Sequence, residues 1–154
     1  MTYKFIGKVN SVLKEPVIYF VTIKDFLYIG ETESHPVIRW GSHLALHGTL
    51  LEKIRRIDRN LLLEDNEIEF YAFECTYIKN TFNRLRIDYA LKYTEFQLHL
   101  LFKTRVNTVN KKFGREIKVI SDTPNKPKFF KDSGGECEKL AVCIFDDFLN
   151  NYSL

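Results

Sequence analysis

The stretch that decides the fold is Val17–His43, VIYFVTIKDFLYIGETESHPVIRWGSH. It opens on Val17-Ile18-Tyr19-Phe20-Val21, β-branched or aromatic at every position, which favours an extended chain. A polar break at Lys24-Asp25 follows, then a second such run, Phe26-Leu27-Tyr28-Ile29, that ends on Gly30. Two runs of this kind around a short polar break predict a β-hairpin. Gly30 through Pro36 is rich in turn residues, with Ser34 as the expected helix cap and Pro36 in the first helical turn. In the helix expected from Val37, Arg39 and His43 stand four residues apart and share a face. Two phenols (Tyr19, Tyr28), a guanidinium and an imidazole at one hairpin edge are more polar chemistry than a hairpin requires.

Working outward, residues 3–14 read as a short leading strand or arm. Gly48 is expected to close the first helix, and Leu50–Ile57 to form a second one. Ile68, Phe70, Ala72 and Phe73 lead into Cys75–Ile78, an apolar and aromatic run expected to be a strand beside the hairpin. Residues 81–103 form the longest helical candidate, apolar on most of its circumference and so expected to be largely buried. Within it Glu95 is flanked one turn each way by Leu91 and Leu98. A buried carboxylate is costly unless it is paired, protonated or bound to a metal; pairing with His99, one turn on, is the structural alternative. Residues 121–136, with Pro124, Pro127, Gly134 and Gly135, read as a loop. Glu138–Leu149 closes the chain as a helix or strand. The whole predicts a single α+β domain, with a small, mainly antiparallel central sheet flanked by helices; its core covers about residues 15–112 and residues 113–154 form an extension.

The 154 residues are 45% hydrophobic and 28% charged, enough for one compact core. No apolar run approaches the roughly 20 residues that cross a bilayer, and the first residues lack the apolar stretch of a signal peptide. Three cysteines (Cys75, Cys137, Cys143) are too few for a disulfide framework; they fit a reducing cytosolic compartment and read as core thiols. The net charge of +3 hides a segregation. Residues 61–78 carry five acids and no Lys or Arg, whereas residues 79–118 carry ten Lys or Arg against three acids. Clustered positive charge beside a polar site points to a polyanion, most simply nucleic acid.

Val17-Ile18-Tyr19 and Tyr28-Ile29-Gly30, followed in order by Arg39, His43, Glu95 and Asn107, resemble the GIY-YIG nuclease family, over Val17 to about Asn110. Val17 stands where the family usually has its first glycine, and eight residues separate the two tyrosines. The resemblance implies a metal-dependent endonuclease of stand-alone, restriction or phage type, acting on double-stranded DNA in the cytoplasm of a bacterial or phage-infected cell. The alternatives are a structure-specific repair or recombination nuclease, and a nucleic-acid-binding module that kept the fold without catalysis.

By the same resemblance Tyr19 takes the proton from the attacking water, although a phenol titrating near about 10 needs a neighbour such as His43 to act as a base. Tyr28 orients the phosphate or the water, and Arg39 forks onto the scissile phosphate in a way lysine cannot. Glu95 holds one Mg²⁺ or Mn²⁺, a hard cation that keeps much of its water. Asn107 braces the site or touches DNA, with a helix C-cap as its structural alternative. No small-molecule cofactor is expected. Target recognition falls to loops, to a homodimer, or to His47 and the basic segment with Lys103, Arg105, Asn110, Lys111, Lys112 and Arg115.

Overall fold

The computed structural model describes residues 3–6 (backbone only), 15–45, 48–62, 65–128, 130–132 and 134–151. The chain runs β1 (Tyr3–Ile6), β2 (Val17–Ile23), β3 (Phe26–Thr32), α1 (Pro36–Leu44), α2 (Thr49–Ile57), β4 (Ile68–Glu74), α3 (Thr76–Thr81), a 3₁₀ turn (Arg84–Arg86), α4 (Ile87–Thr104), α5 (Val106–Phe113), β5 (Lys118–Val119) and α6 (Glu136–Asn151). The five strands form one sheet in the order β1-β4-β2-β3-β5. Its two long ladders, β2 with β3 and β2 with β4, are antiparallel over seven residue pairs each; the short edge strands β1 and β5 join in parallel. The expected α+β fold with a mainly antiparallel sheet is the one observed.

β2 is buried along its whole length because it lies between β3 and β4 with both faces of the sheet covered, which is why it reads as a continuous apolar run. Its even residues, Ile18 and Phe20, enter a core with Leu91, Leu98 and Phe102 of α4 and Phe145 and Phe148 of α6. Its odd residues, Val17, Tyr19, Val21 and Ile23, face Trp40 of α1 and Leu50, Leu51 and Ile54 of α2. Val17 is fully buried there, paired with Thr32 and Glu74 as a regular strand residue. The hairpin closes on Lys24-Asp25, and Lys24 at φ 49° takes the left-handed conformation that two-residue hairpin loops demand and glycine ordinarily fills. Arg115 holds this turn: its Nη2 donates to the Lys24 carbonyl at 3.2 Å and its Nε pairs with Asp25 at 3.0 Å.

Several local expectations are corrected. β3 continues past Gly30 to Thr32, because Glu31 and Thr32 still pair with Ile18 and Val17. The cap of α1 is His35, whose Nδ1 accepts from the Val37 N–H at 3.3 Å, while the Ser34 N–H donates to Thr32 Oγ1. Gly48 does not close α1, which ends at Leu44; it precedes α2 as its N-cap. A Cβ at Gly48 would lie 2.4 Å from the Ser42 carbonyl oxygen, so close approach of backbone explains the glycine. Cys75–Ile78 is not strand: the Cys75 N–H donates to the Pro16 carbonyl and α3 begins at the next residue. Of residues 81–103, expected to be largely buried, Leu85 and Tyr89 are not. Leu85 lies before the helix in the 3₁₀ turn, and both side chains are exposed. Cys75 and Cys137 are buried thiols, whereas Cys143 is exposed. Of the arm expected at residues 3–14, Tyr3–Ile6 forms β1, and residues 7–14 lie outside the described residues.

Candidate functional site

The site is built on the hairpin. Tyr19 pairs across β2 and β3 with Gly30, and its ring lies over that glycine: a Cβ on Gly30 would sit 2.4 Å from Tyr19 Cζ and Oη. The glycine of the second tripeptide is thereby explained by space. The phenol passes through the gap and meets His43 Nε2 at 2.9 Å. α1 brings His43 there because Pro36, Trp40 and His43, at helical spacing, form the face it buries against the sheet, with Trp40 packed on Phe70 at 4.8 Å. Tyr28 stacks beside Tyr19, ring centroids 6.5 Å apart, and its ring is 4.4 Å from the imidazole.

Arg39 sits one helical turn from His43 and is exposed. Its positive charge pulls the Tyr19 and Tyr28 hydroxyls down and helps push His43 down. Burial outweighs that pull at both tyrosines and raises them, which keeps each phenol protonated at neutral pH. Burial also lowers His43 to about 4, so its imidazole is neutral. The shared proton has two placements: the phenol donates to Nε2, or Nε2–H donates to the phenol oxygen. In both, Nδ1 is buried without a partner among the described residues.

Glu95 lies half-buried on α4, and its charge reaches both tyrosines. Burial first, then the Glu31 carboxylate, pushes Glu95 up to about 8, with Lys92 opposing. Glu31 is itself raised, by burial and then by Asp88. The alternative pairing of the Glu95 carboxylate with His99 is not made. Instead the His99 Nδ1–H donates to the Glu95 backbone carbonyl at 2.9 Å, and its Nε2 accepts from Ser121 Oγ at 2.8 Å. Ser121 Oγ in turn accepts from the Ile29 N–H at 3.0 Å. This relay ties the strand of Tyr28 to the helix of Glu95.

Tyr19, Tyr28 and His43 are therefore in contact, and Arg39 on α1 and Glu95 on α4 lie within electrostatic range of the two tyrosines. Asn107 is exposed at the second residue of α5, not at a helix C-cap, and no described contact joins it to the cluster. Asn110 has a structural role, since its Oδ1 accepts from the Ile117 N–H at 2.9 Å. Lys103, Lys111 and Lys112 are exposed, Arg105 lies over the Phe145 ring at 5.6 Å, and Arg115 is committed to the hairpin turn. His47 lies outside the described residues. Among the described residues no three of His, Cys, Asp and Glu converge as a metal-binding group. A cation at this site would find its donors in the carboxylate oxygens of Glu95, with Glu31 nearby, a sparse set compatible only with a hard cation that keeps most of its water.

Sequence reasoning missed Glu31. It sits in a polar run that looks solvated, and only the continuation of β3 to Thr32 brings it near Glu95; the period-two pairing with β2 is the signal that would have found it. No protein-family model, curated protein or solved structure matches the chain.

Proposed function

We propose that the chain is a metal-dependent DNA endonuclease of GIY-YIG type, hydrolysing phosphodiester bonds. The observation that carries this reading is the 2.9 Å bond from Tyr19 to a neutral His43, within electrostatic range of the Arg39 guanidinium and the Glu95 carboxyl. In this reading His43 takes the Tyr19 proton as Tyr19 takes one from the attacking water, so that neither group need be charged in the resting protein. Tyr28, stacked beside Tyr19, orients the phosphate or the water. Arg39 places a forked positive charge where negative charge develops on the phosphoryl oxygens. Glu95 would hold the Mg²⁺ or Mn²⁺, losing its proton in doing so. A cation bound there supplies Lewis-acid stabilisation of the leaving oxygen.

A second reading, a nucleic-acid-binding module without catalysis, is favoured by the burial of Tyr19, only 3% exposed. One assay separates the two. Supercoiled plasmid is incubated with Mg²⁺ and wild type, Tyr19→Phe or Glu95→Gln. The nuclease reading expects nicking by wild type and a loss of roughly 10²–10⁴-fold in Tyr19→Phe. Retardation of the plasmid without nicking by wild type would sink it in favour of the binding module. Mapping the cut ends then distinguishes site-specific from structure-specific cleavage.

A further inference from the structure

Among the described large apolar side chains Leu85 is the most exposed, at 85%. One exposed leucine is ordinary, but the setting of this one is not. It is the middle residue of the Arg84–Arg86 turn, and the turn is held at both ends. The Arg86 N–H donates to the Asn83 carbonyl at 2.8 Å. Phe82 packs on Phe130 with ring centroids 5.3 Å apart, and Ile87 packs against the main core. Leu85 is thus displayed from a fixed base. Arg84 and Arg86 flank it, both exposed, and among the described residues neither guanidinium makes a hydrogen bond or ion pair.

The turn borders a groove of about 320 Å³ lined by Pro16, Glu33, Lys79, Phe82, Arg84 and Ile87. That groove lies at the open end of the hairpin: Glu33 follows β3 directly, and its charge acts on Glu31, which in turn acts on Glu95. The basic segment Lys111–Arg115 lies instead toward the closed end, where Arg115 bonds the Lys24-Asp25 turn. Lys92 and Arg39 are the cations whose charge reaches the site carboxylates, and the turn before α4 adds Arg84 and, through the groove lining, Lys79 beside Glu33 at this same open end.

We infer that the Arg84-Leu85-Arg86 turn is a duplex-DNA contact, in which both guanidiniums grip flanking phosphates and Leu85 wedges against a base step. Guanidinium forks suit phosphate oxygens, and apolar wedges beside arginines are a recurrent way of opening a base step and bending the duplex. The inference rests on the endonuclease reading and names how that site's substrate is held.

The test uses the full chain in the absence of Mg²⁺, with duplexes carrying 2-aminopurine at successive positions. Affinity is read by anisotropy across a salt series. Leu85→Ala should weaken binding by about tenfold and lose the 2-aminopurine brightening that reports unstacking, without changing the salt slope. Arg84→Ala with Arg86→Ala should reduce the slope of log K against log salt by about two. Because all three side chains are exposed, unchanged melting temperatures check that the fold is kept. If wild type binds duplex and both variants match it, the wedge is wrong and the turn serves some other surface, such as a protein contact, while the endonuclease reading stands. If wild type neither binds nor nicks duplex, that reading falls and the wedge with it.

Discussion

At Gly30 the absence of a side chain lets the Tyr19 phenol reach His43. Gly30→Ala puts a methyl 2.4 Å from Tyr19 Cζ and Oη, so the ring must swing away from the imidazole. The expected cost is about 1–3 kcal/mol of stability, as for other overpacked sites, together with nicking activity reduced nearly to that of Tyr19→Phe. A urea melt and the plasmid assay check the two halves, and a variant nicking at the wild-type rate would show that the Tyr19–His43 bond is dispensable. Glu95 gives a pH prediction at the same scale. Its carboxyl titrates at about 8 in the fold and near about 4.3 unfolded, so the folded state retains a proton that the unfolded chain gives up. Its contribution is complete below about pH 4 and is lost as pH rises through about 8. The melting temperature of wild type should therefore fall relative to Glu95→Gln between about pH 5 and pH 8. Added Mg²⁺ should raise it more at pH 8 than at pH 6, since the cation competes with the proton. His43, lowered to about 4, works in the opposite sense: its contribution is complete above about 6.5 and is lost on acidification through about 4. At this scale the sequence was readable where polar residue types recur at a set spacing around the hairpin. Tyr19, Tyr28, Arg39, His43 and Glu95 could be picked out together, whereas Glu31 could not, because an acid in a polar run carries no mark of what it will face.

Between elements, the relay through Ser121 sets how the hairpin sits against α4. The chain Ile29 N–H to Ser121 Oγ to His99 to the Glu95 carbonyl joins residues up to 92 positions apart. Ser121→Ala leaves the Ile29 N–H and the His99 Nε2 without their partner, and orphaned groups of this kind cost about 1–3 kcal/mol. Because the relay fixes the helix backbone at Glu95, nicking should fall by more than the stability loss explains, even at temperatures where the variant is fully folded. If activity and melting temperature fall in step, the relay is a brace only. Nothing in the sequence marks Ser121: it opens a proline-bearing loop, and its partner strand is remote. The helix was easier, since the apolar spacing of Leu91, Leu98 and Phe102 forecasts the buried face of α4, and all three lie in the core. Strand and helix were confused at Cys75–Ile78, a short apolar and aromatic run that suits either state; the hydrogen bond from Cys75 to Pro16 decides it.

Across the whole molecule, the last helix completes the core on one face of the sheet. Residues 113–154 read from sequence as an extension, yet α6 supplies Cys137, Ala141, Ile144, Phe145, Phe148 and Leu149 to the same core as Ile18 and Phe20 of β2. Phe148 is fully buried, with its ring 4.6 Å from Phe20 and 4.9 Å from Tyr71, both edge-on. Phe20 lies next to Tyr19 in the chain and on the opposite face of the strand. A loss of packing under β2 is therefore felt beneath the tyrosine that the site depends on. Phe148→Ala should destabilise the protein by about 3–5 kcal/mol, the range for removing a buried aromatic ring, a large share of the roughly 5–15 kcal/mol typical of a domain. Denaturant melts followed by far-ultraviolet and near-ultraviolet circular dichroism check it, with the two probes expected to move together if sheet and closing helix form one cooperative unit. Separate transitions, or a loss below about 1 kcal/mol, would make α6 a detachable cover and return the sheet with α4 to the status of a self-sufficient core.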